Sequence, residues 1–358
     1  MLEVGAMFRT TDDVRIREIR PLIPPAILME EIPAEPQHCE FITGAREQVT
    51  AILEGRDDRL LVVVGPCSIH DPAAGLDYAA RLQSLEPSLR KDLFIVMRTY
   101  FEKPRTIMGW KGLINDPDMN EQFAINRGLR LARRFLRDVI DLGLPTGTEF
   151  LDPITPQFIA DLVVWGAIGA RTTESQVHRE LASGLSMPVG FKNTTDGVVK
   201  TAVDSVRSAQ QPHHFLSVTK QGVAAIVSTG GNPSCHIILR GGREGPNHDV
   251  FHVGRAAELL KESKLQPRVM VDCSHANSRK DPTLQPSVAD TLARQIEIGS
   301  TAVFGVMLES FLVPGRQEPG NASDLSYGQS VTDACLGWDE TVPVLERLAS
   351  AVQRRRQE

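Results

Sequence analysis

Eight short runs of apolar residues recur along the chain. At or just past the last apolar residue of each run lies a polar or reactive side chain. Runs this short and this continuously apolar are typical of strands buried on both faces, as in a parallel sheet covered by helices. Eight of them predict a (β/α)₈ barrel, whose chemistry lies at the carboxyl ends of the strands. The runs are LLVVVGPC, LFIVMR, PTGTE, AIGAR, PVGFK, HIILR, VMVDCSH and TAVFGVMLE, ending at Cys67, Arg98, Glu149, Arg171, Lys192, Arg240, His275 and Glu309.

Segments with a helical repeat of apolar residues separate these runs. Ile125, Leu129 and Leu136, for example, fall on one face of a helix predicted over 121–142. Strands that alternate with helices are what a barrel of this type requires. The other predicted helices cover residues 43–55, 72–85, 155–165, 174–184, 195–209, 254–263, 286–298 and 339–354.

Three segments depart from the alternation. Residues 1–45 are rich in proline and charge, and we expect them to form a regulatory or oligomerisation arm before a catalytic barrel over 46–358. Residues 99–119 form a loop long enough to indicate a functional role. Two β-rich runs at about 213–229 predict a hairpin inserted in the barrel.

Composition narrows the class of protein. The 358 residues include 39 basic and 45 acidic side chains, so the net charge of −6 favours neither nucleic acid nor an acidic membrane as a partner. The sequence contains no apolar run of about 18 residues, and its five widely spaced cysteines do not form a disulfide framework. A soluble cytoplasmic protein is expected.

A candidate metal site combines soft and hard donors. Cys67, His275 and Glu309 end three of the runs, and Asp333 follows the last run closely enough to fold back over the barrel mouth. Such a donor set suits Zn, Mn, Fe, Co or Cu. Taken singly, each residue is more often an ordinary buried thiol, capped histidine or surface acid, so the prediction depends on the barrel.

Cations at the strand ends predict a site for anions. Arg98, Arg171, Lys192 and Arg240 would point into one mouth, where they suit a phosphate or carboxylate group unless they form salt bridges with neighbouring acids. A second cluster on the long loop, Lys103, Arg105 and Thr106, suits a second phosphate.

Lys192 permits a different interpretation, because a lysine that ends a barrel strand also suits a Schiff-base aldolase. The candidate metal ligands argue against this alternative. A catalytically inactive sugar-phosphate sensor is disfavoured, since every candidate metal and phosphate position is present.

At these positions the chain closely resembles class I 3-deoxy-D-arabino-heptulosonate 7-phosphate (DAHP) synthases, from about Asp12 to Arg354. The resemblance implies condensation of phosphoenolpyruvate with erythrose 4-phosphate and water, the first step of the shikimate pathway, by a homodimer or homotetramer. Pro104-Arg105 favours this four-carbon aldose, because relatives that use arabinose 5-phosphate carry alanine-asparagine there. The matching segments are GPCSIHD (65–71), RTYFEKPRT (98–106), GWKGLINDP (109–117), GARTTESQVHRELASGL (169–185), PVGFKN (188–193), ILRGG (238–242), DCSHANS (272–278) and SVTDACLGW (330–338).

The resemblance also implies roles for individual residues. One divalent ion per subunit, of Mn, Fe, Co or Zn, would be held by Cys67, His275, Glu309 and Asp333. Phosphoenolpyruvate would be held by Arg98, Lys103, Glu149, Arg171, Lys192 and Arg240, and erythrose 4-phosphate by Lys103, Arg105 and Thr106. The proton transfers are expected to involve Lys103, Glu149 and His275.

Feedback inhibition by one aromatic amino acid is a further implication. Ser217 resembles phenylalanine-sensitive members and Pro153 tyrosine-sensitive ones, so phenylalanine is favoured while tyrosine or tryptophan stay open. Phe215 and Val227 would otherwise be ordinary hairpin core, and Thr194 replaces the family's usual glycine. The implied pocket consists of Pro153, Gln157, Ser186, Phe215, Ser217 and Val227, with Asp12 and Asp13 from a neighbouring subunit.

Overall fold

Eight parallel strands close into a barrel in the computed structural model of the chain, which describes residues 11–105, 109–320 and 324–357. Their order around the barrel is β1-β10-β9-β8-β5-β4-β3-β2, which confirms the predicted (β/α)₈ architecture. Every residue of these strands is buried, as their continuous apolar runs predict. The strands are β1 (Leu60–Gly65), β2 (Leu93–Arg98), β3 (Thr146–Glu149), β4 (Trp165–Ile168), β5 (Val189–Lys192), β8 (His236–Leu239), β9 (Val269–Asp272) and β10 (Val303–Glu309).

Helices precede the barrel and cover its strands. The helix predicted over 43–55 begins earlier, at Pro36, and the one predicted to end near residue 85 continues to Leu89. The helices are α1 (Pro25–Glu31), α2 (Pro36–Glu54), α3 (Pro72–Leu89), α4 (Ile125–Asp141), α5 (Pro156–Ile159), α6 (Gln176–Gly184), α7 (Val199–Ala209), α8 (Val250–Glu262), α9 (Gln285–Glu297) and α10 (Trp338–Arg355), with 3₁₀ turns at Ala160–Leu162 and Pro282–Leu284.

The inserted hairpin lies where the sequence predicts it. Strands β6 (His214–Val218) and β7 (Ala224–Ser228) pair antiparallel between α7 and β8. The amide of Ala26 in α1 donates to the Lys220 carbonyl at the hairpin turn, over 2.7 Å. The N-terminal segment is therefore attached to the hairpin, while the division at residue 45 stays a prediction. A short two-stranded pair, β11 (Val313–Arg316) and β12 (Gln329–Ser330), follows the barrel.

The carboxyl ends of the barrel strands bring the candidate residues to one face. Glu149, Lys192 and Glu309 are the last residues of their strands, and Cys67 follows β1 by two residues. Arg171 lies three residues beyond β4, at an exposed position. The candidate residues that end the eight runs thus lie at the carboxyl ends of the barrel strands as predicted, some at the last strand residue and others up to three residues beyond it.

Candidate active site

Three of the four candidate metal ligands lie together at this face. The Cys67 sulfur and one carboxylate oxygen each of Glu309 and Asp333 are all within 4.8 Å of one another. His275 is their neighbour, with Nε2 4.0 Å from the Glu309 carboxylate. Cys67 and Glu309 are buried, whereas Asp333 is exposed at the rim. The cluster therefore offers one sulfur, one nitrogen and carboxylate oxygens around a common space.

Asp272 orients His275. Its Oδ2 lies 2.8 Å from His275 Nδ1, which leaves Nε2 directed toward Glu309. Burial opposes ionisation of Asp272, but His275 and Lys192 outweigh it and hold the pKa of this carboxyl well below its usual range. The His275 backbone has a φ of +55°, a conformation that non-glycine residues rarely adopt outside functional or tightly constrained sites.

Arg98 is buried beneath the cluster. Its Nη2 donates to Glu309 Oε1 over 2.9 Å and to the Cys67 carbonyl over 3.1 Å, and its Nε donates to the Pro66 carbonyl over 3.1 Å. Two main-chain acceptors and one carboxylate therefore fix the plane of this guanidinium. Arg98 contacts the candidate metal ligands directly, so the candidate metal and anion sites adjoin.

Lys103 approaches the cluster from the long loop. Its ammonium donates to the Cys67 sulfur over 3.0 Å. Burial lowers the pKa of Lys103, but Cys67, Glu309 and Asp333 outweigh that effect and raise it above the usual value. Burial, assisted by the Glu309 charge, raises the pKa of the Cys67 thiol to about 11. The protonated lysine is thus placed to donate a proton.

Lys192 lies between two carboxylates on the other side of the mouth. Its Nζ is 3.4 Å from Glu149 Oε2 and 3.5 Å from Asp272 Oδ2. Burial opposes ionisation of Glu149, yet Lys192 and Lys103 hold its pKa below the usual range. Glu149 is therefore an ionised, buried carboxylate with capacity to accept a proton.

The remaining predicted cations differ in exposure. Arg240 is buried, and its Nε has no hydrogen-bond partner among the described residues. A buried guanidinium with an unused donor suits an anionic ligand. Arg171 is exposed and donates to the Pro104 carbonyl over 3.4 Å, which connects it to the long loop. Arg105 is exposed too, and its Nε donates to the Trp110 carbonyl over 2.8 Å. Thr106 lies outside the described residues.

Comparison with known proteins identifies the family. The model of the DAHP synthetase I family matches residues 31–346. The chain belongs to this family. The Phe-sensitive phospho-2-dehydro-3-deoxyheptonate aldolase of Escherichia coli K12 is 56% identical over 345 residues, which is 96% of this chain and 98% of that protein. The Trp-sensitive enzyme of the same strain is 52% identical, over 96% and 99% of the two chains.

A tyrosine-inhibited relative from Schizosaccharomyces pombe is 51% identical over 97% of this chain and 94% of its own. The structure of the aldolase from Francisella tularensis SCHU S4 superposes with a TM-score of 0.93 at 54% identity, over 95% of this chain and 99% of that one. The chain is accordingly an enzyme with DAHP synthase activity, and family membership places it in the shikimate pathway. No helix among the described residues is long and apolar enough to span a membrane.

Three buried asparagines, which no sequence motif singles out, stabilise the strand ends of this DAHP synthase barrel. Asn193 Oδ1 accepts from the Arg240 amide over 2.8 Å, and Asn247 Nδ2 donates to the same oxygen over 3.2 Å. Asn277 Oδ1 accepts from the Asn247 amide over 2.8 Å. The network fixes the turns after β5, β8 and β9, which hold Lys192, Arg240 and His275. Asn193 and Asn277 lie inside recognised segments, but nothing local reveals their shared network.

Thr194, which departs from the family's usual glycine, stabilises the turn after β5. Its hydroxyl accepts from the Val198 amide over 3.0 Å and donates to Asp196. This donation contributes to holding the pKa of Asp196 below its usual range. The threonine hydroxyl thus stabilises this turn.

Most of the predicted effector positions lie near the hairpin. Phe215, Ser217 and Val227 share its half-buried face, because Phe215 pairs with Val227 and Ser217 with Ala225. Lys220 at the turn donates to the Gln157 carbonyl over 2.6 Å.

The other effector positions lie at the surface. Pro153, Ser186, Asp12 and Asp13 are exposed. Ser186 lines a separate cavity of about 610 Å³ near α2. Ser186 follows α6, and the Ser183 hydroxyl in that helix lies 2.6 Å from the hydroxyl of Thr229, the residue after β7. The effector pocket itself, with its two aspartates from a neighbouring subunit, stays a prediction.

Proposed function

We propose that this enzyme condenses phosphoenolpyruvate with D-erythrose 4-phosphate and water, giving 3-deoxy-D-arabino-heptulosonate 7-phosphate and phosphate. The observation that carries the proposal is the joining of a buried cation set to a Cys, His and carboxylate cluster. Arg98 contacts Glu309 directly, and Lys103 contacts Cys67. Two anionic substrates and one polarised aldehyde need this combination of charges.

The donor set fits a divalent metal. Cys67, Glu309 and Asp333 converge within 4.8 Å, and the Asp272 contact leaves His275 Nε2 free to complete the set. Carboxylates that orient a ligating imidazole in this way are a regular feature of metal sites. When bound there, Mn, Fe, Co or Zn would act as a Lewis acid on the aldehyde oxygen of erythrose 4-phosphate.

The residues of the chain would bind the substrates and move protons. Arg98, Lys192 and Arg240, with Arg171 at the rim, would hold the phosphate and carboxylate of phosphoenolpyruvate. Arg105 and Thr106 would hold the phosphate of the aldose. Both substrates would then lie in fixed orientation, which lowers the entropic cost of joining them.

The bond changes then follow. C3 of phosphoenolpyruvate attacks the aldehyde carbon, and Lys103 protonates the new alkoxide. Water adds at C2 and gives its proton to Glu149, since His275, with Nε2 assigned to the metal and Nδ1 against Asp272, would have no free nitrogen for it. Phosphate then leaves with cleavage of the C–O bond. A positioned acid or base of this kind contributes roughly 10²- to 10⁴-fold to a rate.

The Schiff-base alternative is disfavoured by the surroundings of Lys192. Its Nζ is ion-paired with carboxylates at 3.4 and 3.5 Å, whereas Schiff-base lysines are activated in hydrophobic pockets or beside other cations. Borohydride with substrate should therefore leave the protein unmodified. A reduced adduct on Lys192, found by mass spectrometry, would support the aldolase mechanism instead.

Regulation by an aromatic amino acid is the second part of the proposal. The relatives include Phe-sensitive, tyrosine-inhibited and Trp-sensitive enzymes. We favour phenylalanine, bound against Pro153, Gln157, Ser186, Phe215, Ser217 and Val227, with Asp12 and Asp13 supplied by a second subunit. The enzyme would work in the cytoplasm as a homodimer or homotetramer.

One assay series tests the proposal. Metal-stripped protein should lose consumption of phosphoenolpyruvate and regain it with one or more of Mn, Fe, Co and Zn, and phenylalanine should then inhibit. Cys67→Ser should prevent recovery, whereas Cys235→Ser, a buried thiol at the opposite end of the barrel, should not. Full activity of the stripped protein, or of Cys67→Ser, would contradict the metal site.

A further inference from the structure

Three of the cations assigned to substrate binding surround one aromatic ring. The guanidinium carbon of Arg98 lies 3.6 Å from the centroid of the Tyr100 ring. Lys103 Nζ lies 5.4 Å and Lys192 Nζ 5.8 Å from the same centroid. Tyr100 is itself only 1% exposed. These distances fall within the range of about 6 Å in which a ring face attracts a cation.

The three cations repel one another, and two of them flank the ring in the chain, since Arg98 precedes Tyr100 by two residues and Lys103 follows it by three. Arg98 ends β2, Lys103 belongs to the long loop, and Lys192 ends β5. Their carboxylate partners lie apart, since Arg98 contacts Glu309 whereas Lys192 contacts Glu149 and Asp272. The Tyr100 ring lies within about 6 Å of all three.

A ring suits this position better than a fourth carboxylate. The negative face of a ring attracts the cations without neutralising them, so their charge stays available to an anionic substrate. Arg98 stacks its flat face on the ring and uses its edge for hydrogen bonds to Glu309 and the main chain. Stacking and edge-on hydrogen bonding are compatible in a guanidinium.

We propose that Tyr100 is a positioning residue whose ring face holds Arg98, Lys103 and Lys192 in place for phosphoenolpyruvate. The inference rests on the substrate proposed above and adds a residue that touches the binding groups instead of the substrate. The electron density of the ring attracts the cations, whereas the hydroxyl donates to the Met307 sulfur over 4.0 Å.

A graded series at position 100 tests the proposal. The variants are Tyr100→Phe, Tyr100→Leu, and the phenylalanine variant with one, two or three ring fluorines, which keep the shape while removing the negative face. Calorimetry with the Mn-loaded enzyme gives the Kd for phosphoenolpyruvate. We expect Tyr100→Phe to stay within about threefold of wild type, each fluorine to weaken binding further, and Tyr100→Leu to weaken it by about tenfold or more.

Tyr78 supplies the matched control. It is equally buried, and its ring packs against Phe311 and Trp338. Tyr78→Leu should lower the thermal midpoint while leaving the Kd of the folded enzyme unchanged. A fluorinated series that binds as tightly as Tyr100→Phe would overturn the proposal, because only the cation attraction differs among those variants.

Inorganic phosphate, titrated in parallel, separates failure of this inference from failure of the proposed substrate. If wild type binds phosphate but not phosphoenolpyruvate, the substrate is wrong, and the fluorine series measured with phosphate still decides the role of Tyr100. If wild type binds neither anion, both proposals are overturned.

Discussion

At the residue scale, the ammonium of Lys103 is placed to donate a proton while bound to the Cys67 sulfur. Lys103→Met keeps most of the length of the side chain and removes the donor. We expect kcat to fall by about 10² or more, since that is the usual contribution of a positioned acid. Steady-state kinetics with the Mn-loaded enzyme measures this.

Lys111 provides a control for Lys103. It is an exposed lysine on the same loop, and its carbonyl accepts from the Lys103 amide. Lys111→Met should therefore leave kcat within about twofold. Near-normal turnover of Lys103→Met, with unchanged substrate affinity, would remove the acid role from this lysine.

Glu102, the neighbour of Lys103, predicts a pH dependence of stability. Burial, together with the nearby charge of Asp152, raises the pKa of Glu102 to about 8. The folded chain thus holds this proton more tightly than an unfolded chain does. Its contribution to stability is complete below about pH 4.5 and is lost as the pH rises through about 8.

Glu102→Gln, a neutral mimic of the protonated acid, tests this. Thermal unfolding is measured for wild type and variant at both pH values. Between pH 5 and pH 9 the midpoint of wild type should fall by about 2 °C or more relative to that of Glu102→Gln. Glu258→Gln, at an exposed acid, should follow wild type throughout. If the two Glu102 curves run parallel, the carboxyl does not titrate in this interval.

The limits of sequence reasoning are clearest at single residues. The strand-end cations and acids were predictable, because apolar runs reveal where barrel strands stop. The role of Asp272 could not be predicted, although this residue precedes His275 by only three positions. Its role depends on contacts with His275 and with Lys192 from another strand. Tyr100 escaped for a related reason: a tyrosine beside Phe101 resembles ordinary core until Lys192, from another strand, is found near its ring together with Arg98 and Lys103.

At the element scale, α4 supports the long loop through a glycine. A Cβ built on Gly128 would lie 2.2 Å from the Ile114 carbonyl oxygen and 2.5 Å from that of Leu113. Main chain cannot yield as a flexible side chain does, so Gly128→Ala should displace the loop. We expect the thermal midpoint to fall by about 2 °C or more.

Gly44 in α2 is the matched helical glycine, because a Cβ there would meet nothing within 4 Å. Gly44→Ala should leave the midpoint unchanged or raise it slightly, as alanine is the better helix former by about 1 kcal/mol. Equal midpoints for the two variants would show that the loop does not depend on contact with α4.

The start of helix α2 shows how far local sequence determines the residue at which a helix begins. The helix α2 begins at Pro36 because the Glu35 amide donates to His38 Nδ1 over 3.0 Å and the His38 amide donates to the Glu35 carbonyl over 2.9 Å. His38 is held in turn by Asp141 at 2.8 Å. A histidine is not the residue expected in such a cap, so the start was placed too late. The barrel strands, whose signal is burial itself, were located correctly.

At the scale of the whole molecule, the outer face of the hairpin predicts an assembly of subunits. Leu216 and Ile226 pair across the strands and are 86% and 77% exposed. Ile16 and Ile19 in the N-terminal segment are exposed as well. Exposed apolar patches of this kind usually mark contacts with another chain.

Leu216→Glu combined with Ile226→Glu should therefore reduce the mass measured by light scattering after size exclusion. Ile298→Glu, at another isoleucine that is 73% exposed, should leave the assembly intact. An unchanged mass for the double variant would exclude the hairpin face as a subunit contact.

Closure of the barrel has a consequence for synthesis of the protein. The first strand pairs with the last, from Leu61 with Gly305 to Gly65 with Glu309. Until the ribosome has made β10, one edge of the wholly apolar β1 has no native partner. At about 5–20 residues per second, that interval lasts roughly ten to fifty seconds. The nascent chain thus exposes an aggregation-prone edge throughout, and that edge is a natural substrate for chaperones acting before release.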